Sequence, residues 1–309
     1  MRRLLPLLSV TMAMVLAGCG NPGAGGAATP ASGEVRVVTT TTVLADLVRN
    51  VAGPGVTVDS LVPKGGEVHT FDPAPSDLGR VAAASVVFGN GLGLDEWLID
   101  LVADAGGSPR IVELGEDLPG LVYLAGGEHA GEDAGEHPSN PHVWMNVAYA
   151  RLFVERIADT LAEGDRAGAK GYLDRAAAYD RVLADLDASI RMRFEALAPE
   201  QRRVVSFHDA FPYFAAAYGL EIIGVVVEAP GQEPSAGEVA ALIDAIRATG
   251  ARAILAEVQF NDRLARQIAA ETGATVIGDL YTDSLGDPPI DTYEALIRFD
   301  ADRILEALG

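Results

Sequence analysis

The chain has 309 residues, 49% of them hydrophobic and 22% charged, so a large buried core is available and global disorder is excluded. That length suits one large or two medium domains. The formal net charge of −21 repels nucleic acid and leaves a cationic ligand or partner as the better fit, although a negative surface is also an ordinary route to solubility.

The first segment, MRRLLPLLSVTMAMVLAGCG, sets two arginines before an apolar run from Leu4 to Ala17. The run is too short for a comfortable transmembrane helix and reads as a secretory signal over residues 1–18. Leu16-Ala17-Gly18-Cys19 resembles a bacterial lipobox, which implies cleavage before Cys19 and a lipid on its thiol. Cys19 is the only cysteine, so no disulfide can form within the chain. Loss of residues 1–18 removes two arginines and takes the formal charge from −21 to −23. The expected location is extracytoplasmic, lipid-anchored to the cell membrane. Residues 19–33 are rich in Gly, Ala, Pro and Ser and read as a flexible tether.

Residues 34–163 then alternate strand and helix patterns. Strands are expected at 34–40, 55–62, 85–90 and 110–114, and helices at 42–52, 76–84 and 96–105. Thr residues signal a cap for the first helix, and Ser76 is the expected N-cap of the second. A loop at 126–139 follows, then a helix at 146–163. Apolar residues at 3–4 spacing from Tyr172 to Ile190 predict one long helix within 164–200. Thirty residues of helix span roughly 45 Å, enough for a rigid connection between two lobes. Residues 201–309 repeat the first style, with strands at 202–207, 220–227, 251–257 and 274–279. Helices are expected at 210–219, 236–250, 262–273 and 291–308. The fold class is therefore α/β: two lobes with mostly parallel sheets flanked by helices, joined by one long rigid helix.

Three of five histidines, His129, His137 and His142, lie in GGEHAGEDAGEHPSNPHVW, among Glu132, Asp133 and Glu136. Histidine and carboxylate hold borderline metal ions. His69 follows the 55–62 strand, and His208 closes the 202–207 strand. Ligands of open α/β sheets bind outside the carboxyl ends of strands. Asp279 ends the 274–279 strand at the same kind of position. Taken singly, such a histidine is more often a loop hydrogen-bonder, such an aspartate a turn residue, and an acidic loop merely solvated. Jointly, His69 and His142 from one lobe and His208 and Asp279 from the other make a four-coordinate set suited to Zn²⁺ and open to Mn²⁺.

KGGEVHTFDPAPSDL, GNGLGLDEWL, NPHVWMN, VVSFHDAFPYFAAAYGL and GDLYTDSLG resemble, in order and spacing over residues 34–309, the solute-binding lipoproteins of zinc and manganese ABC importers. The resemblance implies two α/β lobes, a metal between them held by His69, His142, His208 and Asp279, and limited lobe closure. It implies delivery of the ion to an ABC permease and its ATPase, with the protein a monomer by default. Relatives that favour manganese typically carry Glu where this chain has His208, and a His-rich loop before the second ligand histidine is usually linked to zinc. Residues 126–139, with His129, His137, Glu132, Asp133 and Glu136, are either a weak zinc collector or a plain solvated loop. Zinc is the first expectation and manganese the second. A surface adhesin is compatible with the same anchor and tether. A zinc hydrolase, with Glu257 or Glu228 as base, lacks any HExxH pattern and would have its open position filled by a fourth protein ligand; no enzyme is expected. Trp97, Trp144 and Tyr281 are expected to pack rather than react, and the NGLGLDEWL motif to be structural.

Overall fold

The computed structural model describes residues 35–125, 139–227 and 230–309. The signal segment, Cys19, the tether, Glu228, and the loop residues His129, Glu132, Asp133, Glu136 and His137 lie outside the described residues.

The first sheet is built from β1 (Arg36–Thr39), β2 (Thr57–Ser60), β3 (Val86–Gly89) and β4 (Arg110–Glu113), in the order β2-β1-β3-β4. All its pairings are parallel. The connecting helices are α1 (Thr42–Ala52), α2 (Pro75–Ala82) and α3 (Trp97–Ala105). The second sheet repeats the scheme with β5 (Arg203–His208), β6 (Glu221–Val227), β7 (Ala253–Glu257) and β8 (Thr275–Leu280), in the order β6-β5-β7-β8, again parallel. Its helices are α6 (Pro212–Tyr218), α7 (Ala236–Thr249), α8 (Arg263–Thr272) and α9 (Tyr293–Leu308). Between the sheets the chain runs through α4 (Val147–Gly164) and α5 (Ala169–Glu195).

Parallel strands covered on both faces must be apolar throughout, which is why VVF in β3 and AILA in β7 show no alternation and are fully buried. Local chemistry fixes the helix starts. Thr41 accepts from Leu44 N at 3.2 Å, Asn146 from Ala148 N at 2.9 Å and Thr292 from Ala295 N at 3.2 Å, each cap contributing about 1 kcal/mol. At α2 the expected Ser76 cap is corrected: Pro75 takes the first turn, and Asp77 Oδ2 accepts from Ala74 N at 2.9 Å. Proline has no N–H to cap and its φ suits that position.

The 27 residues of α5 span about 40 Å. The helix starts at Ala169, inside the expected 164–200 range, because Asp165 ends α4 and Asp165 Oδ1 accepts from Ala167 N to close a turn. Its buried stripe, Tyr172, Ala176, Tyr179, Leu183, Leu186, Ile190 and Phe194, belongs to one continuous apolar cluster that includes Val37 and Phe88 of the first sheet and Val204 and Leu255 of the second. The lobes thus share a core. Arg175 of α5 also donates to the carbonyls of Val51 and Ala52 at the end of α1, at 2.8 and 2.7 Å.

Candidate metal centre between the two sheets

In each sheet the strand order reverses between the central strands, β1/β3 and β5/β7. The crevice beyond such a reversal is where open α/β sheets bind ligands. His208 ends β5 and Glu257 ends β7 at the second reversal, and the pairings of these strands with β6 and β8 shift register between Val204 and Ser206 and between Leu255 and Glu257. His69 comes from the turn after β2 and His142 from the segment leading into α4.

One ligand atom each from His69, His142, His208 and Asp283 lies within 4.8 Å of the other three. The imidazole centroids are 4.9 to 5.7 Å apart. His142, His208 and Asp283 are buried and His69 is partly so. The structure brings together the three histidines expected from sequence. It corrects the fourth member: Asp283, not Asp279, stands in the cluster. β8 runs to Leu280, so Asp279 is still inside the strand, where its carboxylate pairs with Arg303 of α9 at 3.1 Å. The carboxyl-end position falls to Asp283, four residues on in the same GDLYTDSLG stretch.

Hydrogen bonds orient two of the rings. His208 Nδ1–H donates to Glu257 Oε1 at 2.6 Å, which turns Nε2 into the cluster. His142 Nδ1–H donates to Asn140 Oδ1 at 3.1 Å, and the backbone N–H of His142 reaches the same oxygen at 3.0 Å. Carboxylate or amide partners of this kind set the tautomer and raise the basicity of a ligating imidazole. Asn140 is itself anchored across the cleft, donating to Asp209 O at 2.7 Å and Oδ2 at 2.9 Å. Asn90, at the end of β3, donates to Pro141 O at 3.0 Å, so the GNGLGLDEWL stretch helps hold the segment bearing His142. That stretch is itself folded by Asp95, whose carboxylate accepts from Asn90 N at 2.7 Å and Gly91 N at 2.9 Å.

The partners left unfilled point inward. His69 Nε2 and Asp283 Oδ1 are buried with no hydrogen-bond partner. Asp283 Oδ1 lies 3.5 Å from His142 Nε2, and His142 Nε2 lies 3.2 Å from His208 Nε2. Unsatisfied buried groups are costly, and a cation among these atoms would satisfy them together. The donor set, three imidazoles and one carboxylate, fits a divalent transition ion.

The electrostatics agree. Burial lowers His69 to a pKa of about 3, against the pull of Asp283. Burial also pulls His208 down, but the Glu257 carboxylate overrides it and raises the pKa to about 9. Burial would raise Asp283, yet the three histidines, His142 first, outweigh it and hold the carboxyl below its ordinary range. Glu67, whose Oε1 accepts from His69 N at 3.0 Å, is raised to about 7 by burial and by Asp283.

Sequence reasoning missed the roles of Glu257, Asn140 and Glu67. From sequence Glu257 was named only as the base of the disfavoured hydrolase reading; its side chain is bonded to His208. Trp144 is buried and donates from Nε1 to Thr282 O at 2.9 Å, beside Asp283, and Trp97 donates to Val68 O at 3.1 Å, beside His69. Tyr281 packs against Phe299, their rings 5.9 Å apart.

Residues 37–307 match the family described as zinc-uptake complex component A, periplasmic (ZnuA). The chain is 31% identical over 303 residues to the manganese-binding lipoprotein MntA of Halalkalibacterium halodurans, covering 97% of this chain and 96% of that one. It is 32% identical over 280 residues to the iron-binding protein YfeA of Yersinia pestis, covering 89% and 87%. The periplasmic zinc binding protein TroA of Treponema pallidum superposes with a TM-score of 0.79 at 27% identity, covering 90% of this chain and 100% of that one. The chain belongs to the ZnuA family of metal ABC transporter substrate-binding proteins. Among the described residues no helix is long and apolar enough to cross a membrane.

Proposed function

We propose that the protein captures a divalent transition metal, zinc in the first place, outside the cytoplasmic membrane and hands it to an ABC permease and its ATPase. The observation that carries this reading is the set His69, His142, His208 and Asp283, with its ligand atoms within 4.8 Å of one another. An imidazole-rich donor set suits Zn²⁺ better than the harder, oxygen-rich sets that suit Mn²⁺. Manganese is the second reading, favoured by the relative MntA named for that metal. Iron is named for the relative YfeA.

The ion is cargo, so a closed four-ligand shell serves retention, and no position is reserved for a reacting water. Glu257, the only one of the two candidate bases among the described residues, is committed to His208 Nδ1, which supports a binding role over a hydrolytic one. Lipidation at Cys19 would keep the protein at the membrane surface, and names of relatives as lipoproteins support that expectation. Residues 126–139 would add a weak, auxiliary collecting role for Zn²⁺.

Competitive titration of the metal-free full chain with Zn²⁺ and Mn²⁺ tests the reading. Stoichiometric Zn²⁺ binding that Mn²⁺ does not displace, strongly weakened in His208→Ala, is expected. Preference for Mn²⁺ would overturn the zinc assignment, and unchanged binding by the variant would overturn the site.

A further inference from the structure

The turn that leads to His69 and the loop that carries Asp283 come from different lobes, and they are tied by side chains that belong to neither metal ligand. Pro63–Gly66 is a tight turn in which Gly66 N–H donates to Pro63 O at 2.9 Å. Gly65, its third residue, has φ +74°, a conformation that favours glycine. That turn presents the Gly65 N–H to Ser284 Oγ of the opposite lobe, at 2.7 Å. Ser284 directly follows Asp283 in the chain, and Gly65 precedes His69 by four residues.

The same hydroxyl reaches two further groups. Ser284 Oγ–H donates to Leu285 O at 3.1 Å, and Ser284 Oγ lies 3.3 Å from Thr42 Oγ1 at the start of α1. Leu285 N–H in turn donates to Thr42 Oγ1 at 2.8 Å. Ser284 is buried while Gly65 is exposed, so the hydroxyl is the shielded end of the cross-lobe bond. The nearby Lys64–Asp287 pair, 3.4 Å apart, has an almost fully exposed carboxylate and adds little.

We propose that Ser284 is a positioning residue for metal retention. Its hydroxyl clips the His69 turn of one lobe to the Asp283 loop of the other, so that both ligands are held at a fixed separation. An ion leaves when that clip opens. The inference rests on the metal-capture reading. A hydroxyl is required because the position must accept from Gly65 N–H and also donate; alanine does neither and leaves the Gly65 N–H without its cross-lobe acceptor, whereas threonine keeps both functions.

The test is stopped-flow release of Zn²⁺ to a chelator from the full chain, comparing wild type, Ser284→Ala and Ser284→Thr, with thermal melts of the metal-free proteins. Release from S284A is expected to be about three to ten times faster, the loss of one net hydrogen bond. S284T should release at the wild-type rate, with the metal-free melts nearly superimposed. Equal release by S284A and wild type overturns the positioning role alone. So does an S284A melting shift large enough to account for the faster release. A wild-type chain that holds no Zn²⁺ overturns the capture reading, and the positioning role with it.

Discussion

Glu257 Oε1 stands 2.6 Å from His208 Nδ1, with both side chains buried at the ends of adjacent strands. Burial raises the Glu257 carboxyl and His208 beside it works the other way, while Glu257 raises His208 to about 9. The pair therefore holds His208 protonated at neutral pH in the metal-free protein, with Nε2 still aimed at His142.

This gives metal binding a pH dependence of defined sign. The ion needs the Nε2 lone pair, so a proton must leave His208 on loading. His69, at about 3, is already neutral. Affinity should rise with pH, by about tenfold per unit from pH 7 to the folded pKa near 9, and then level. Calorimetry in buffers of differing ionisation enthalpy should report release of about one proton from His208 at pH 7. For the metal-free fold the sign is opposite. The raised His208 pKa contributes stability fully below the unfolded value of about 6.5 and loses it as pH rises through about 9.

Glu257→Gln separates basicity from coordination. All four proposed ligands remain, but the imidazole loses its anionic partner. At pH 9 affinity should fall by about 10- to 100-fold. Towards pH 7 the gap should narrow, because the variant's His208 no longer carries a proton for the metal to displace. Competition titrations at the two pH values check this.

The two aspartates of GDLYTDSLG should behave differently. Asp283→Ala removes a proposed ligand and should reduce Zn²⁺ affinity at least 100-fold, on the order of a lost charge-bearing donor. Asp279→Ala removes a half-exposed pair with Arg303 and should change stability by less than about 1 kcal/mol, leaving affinity unchanged. Titration and melting of both variants test the assignment.

Much of the architecture was legible in the sequence because parallel strands and amphipathic helices have distinct periods. All eight strands and nine helices described here lie on segments expected from pattern, with ends displaced by a few residues. The three clustered histidines were legible because each stands at or beyond the end of a strand or before a helix. Asp279 misled because the strand's end was placed one residue early: one more residue of β8 moves the crevice from Asp279 to the loop beyond it. Glu257, Asn140 and Ser284 were hidden for another reason. Their roles depend on contacts across 49, 69 and 219 residues of chain, which no local pattern records.

Removing residues 128–137 should leave main-site affinity nearly unchanged. Ala125 and Ser139 pair as an isolated antiparallel bridge, so the flanks of the excised segment already lie side by side. A large loss of affinity in the shortened chain would contradict the auxiliary role given to His129 and His137.

The most direct measurement is zinc K-edge X-ray absorption on the loaded chain lacking 128–137, which leaves His69, His142 and His208 as its only histidines. A four-coordinate nitrogen/oxygen shell at about 2.0–2.1 Å, with scattering from three imidazoles in that chain and two in its His208→Ala variant, is the expected result. A shell with fewer imidazoles, or one unaltered by the variant, would contradict the site.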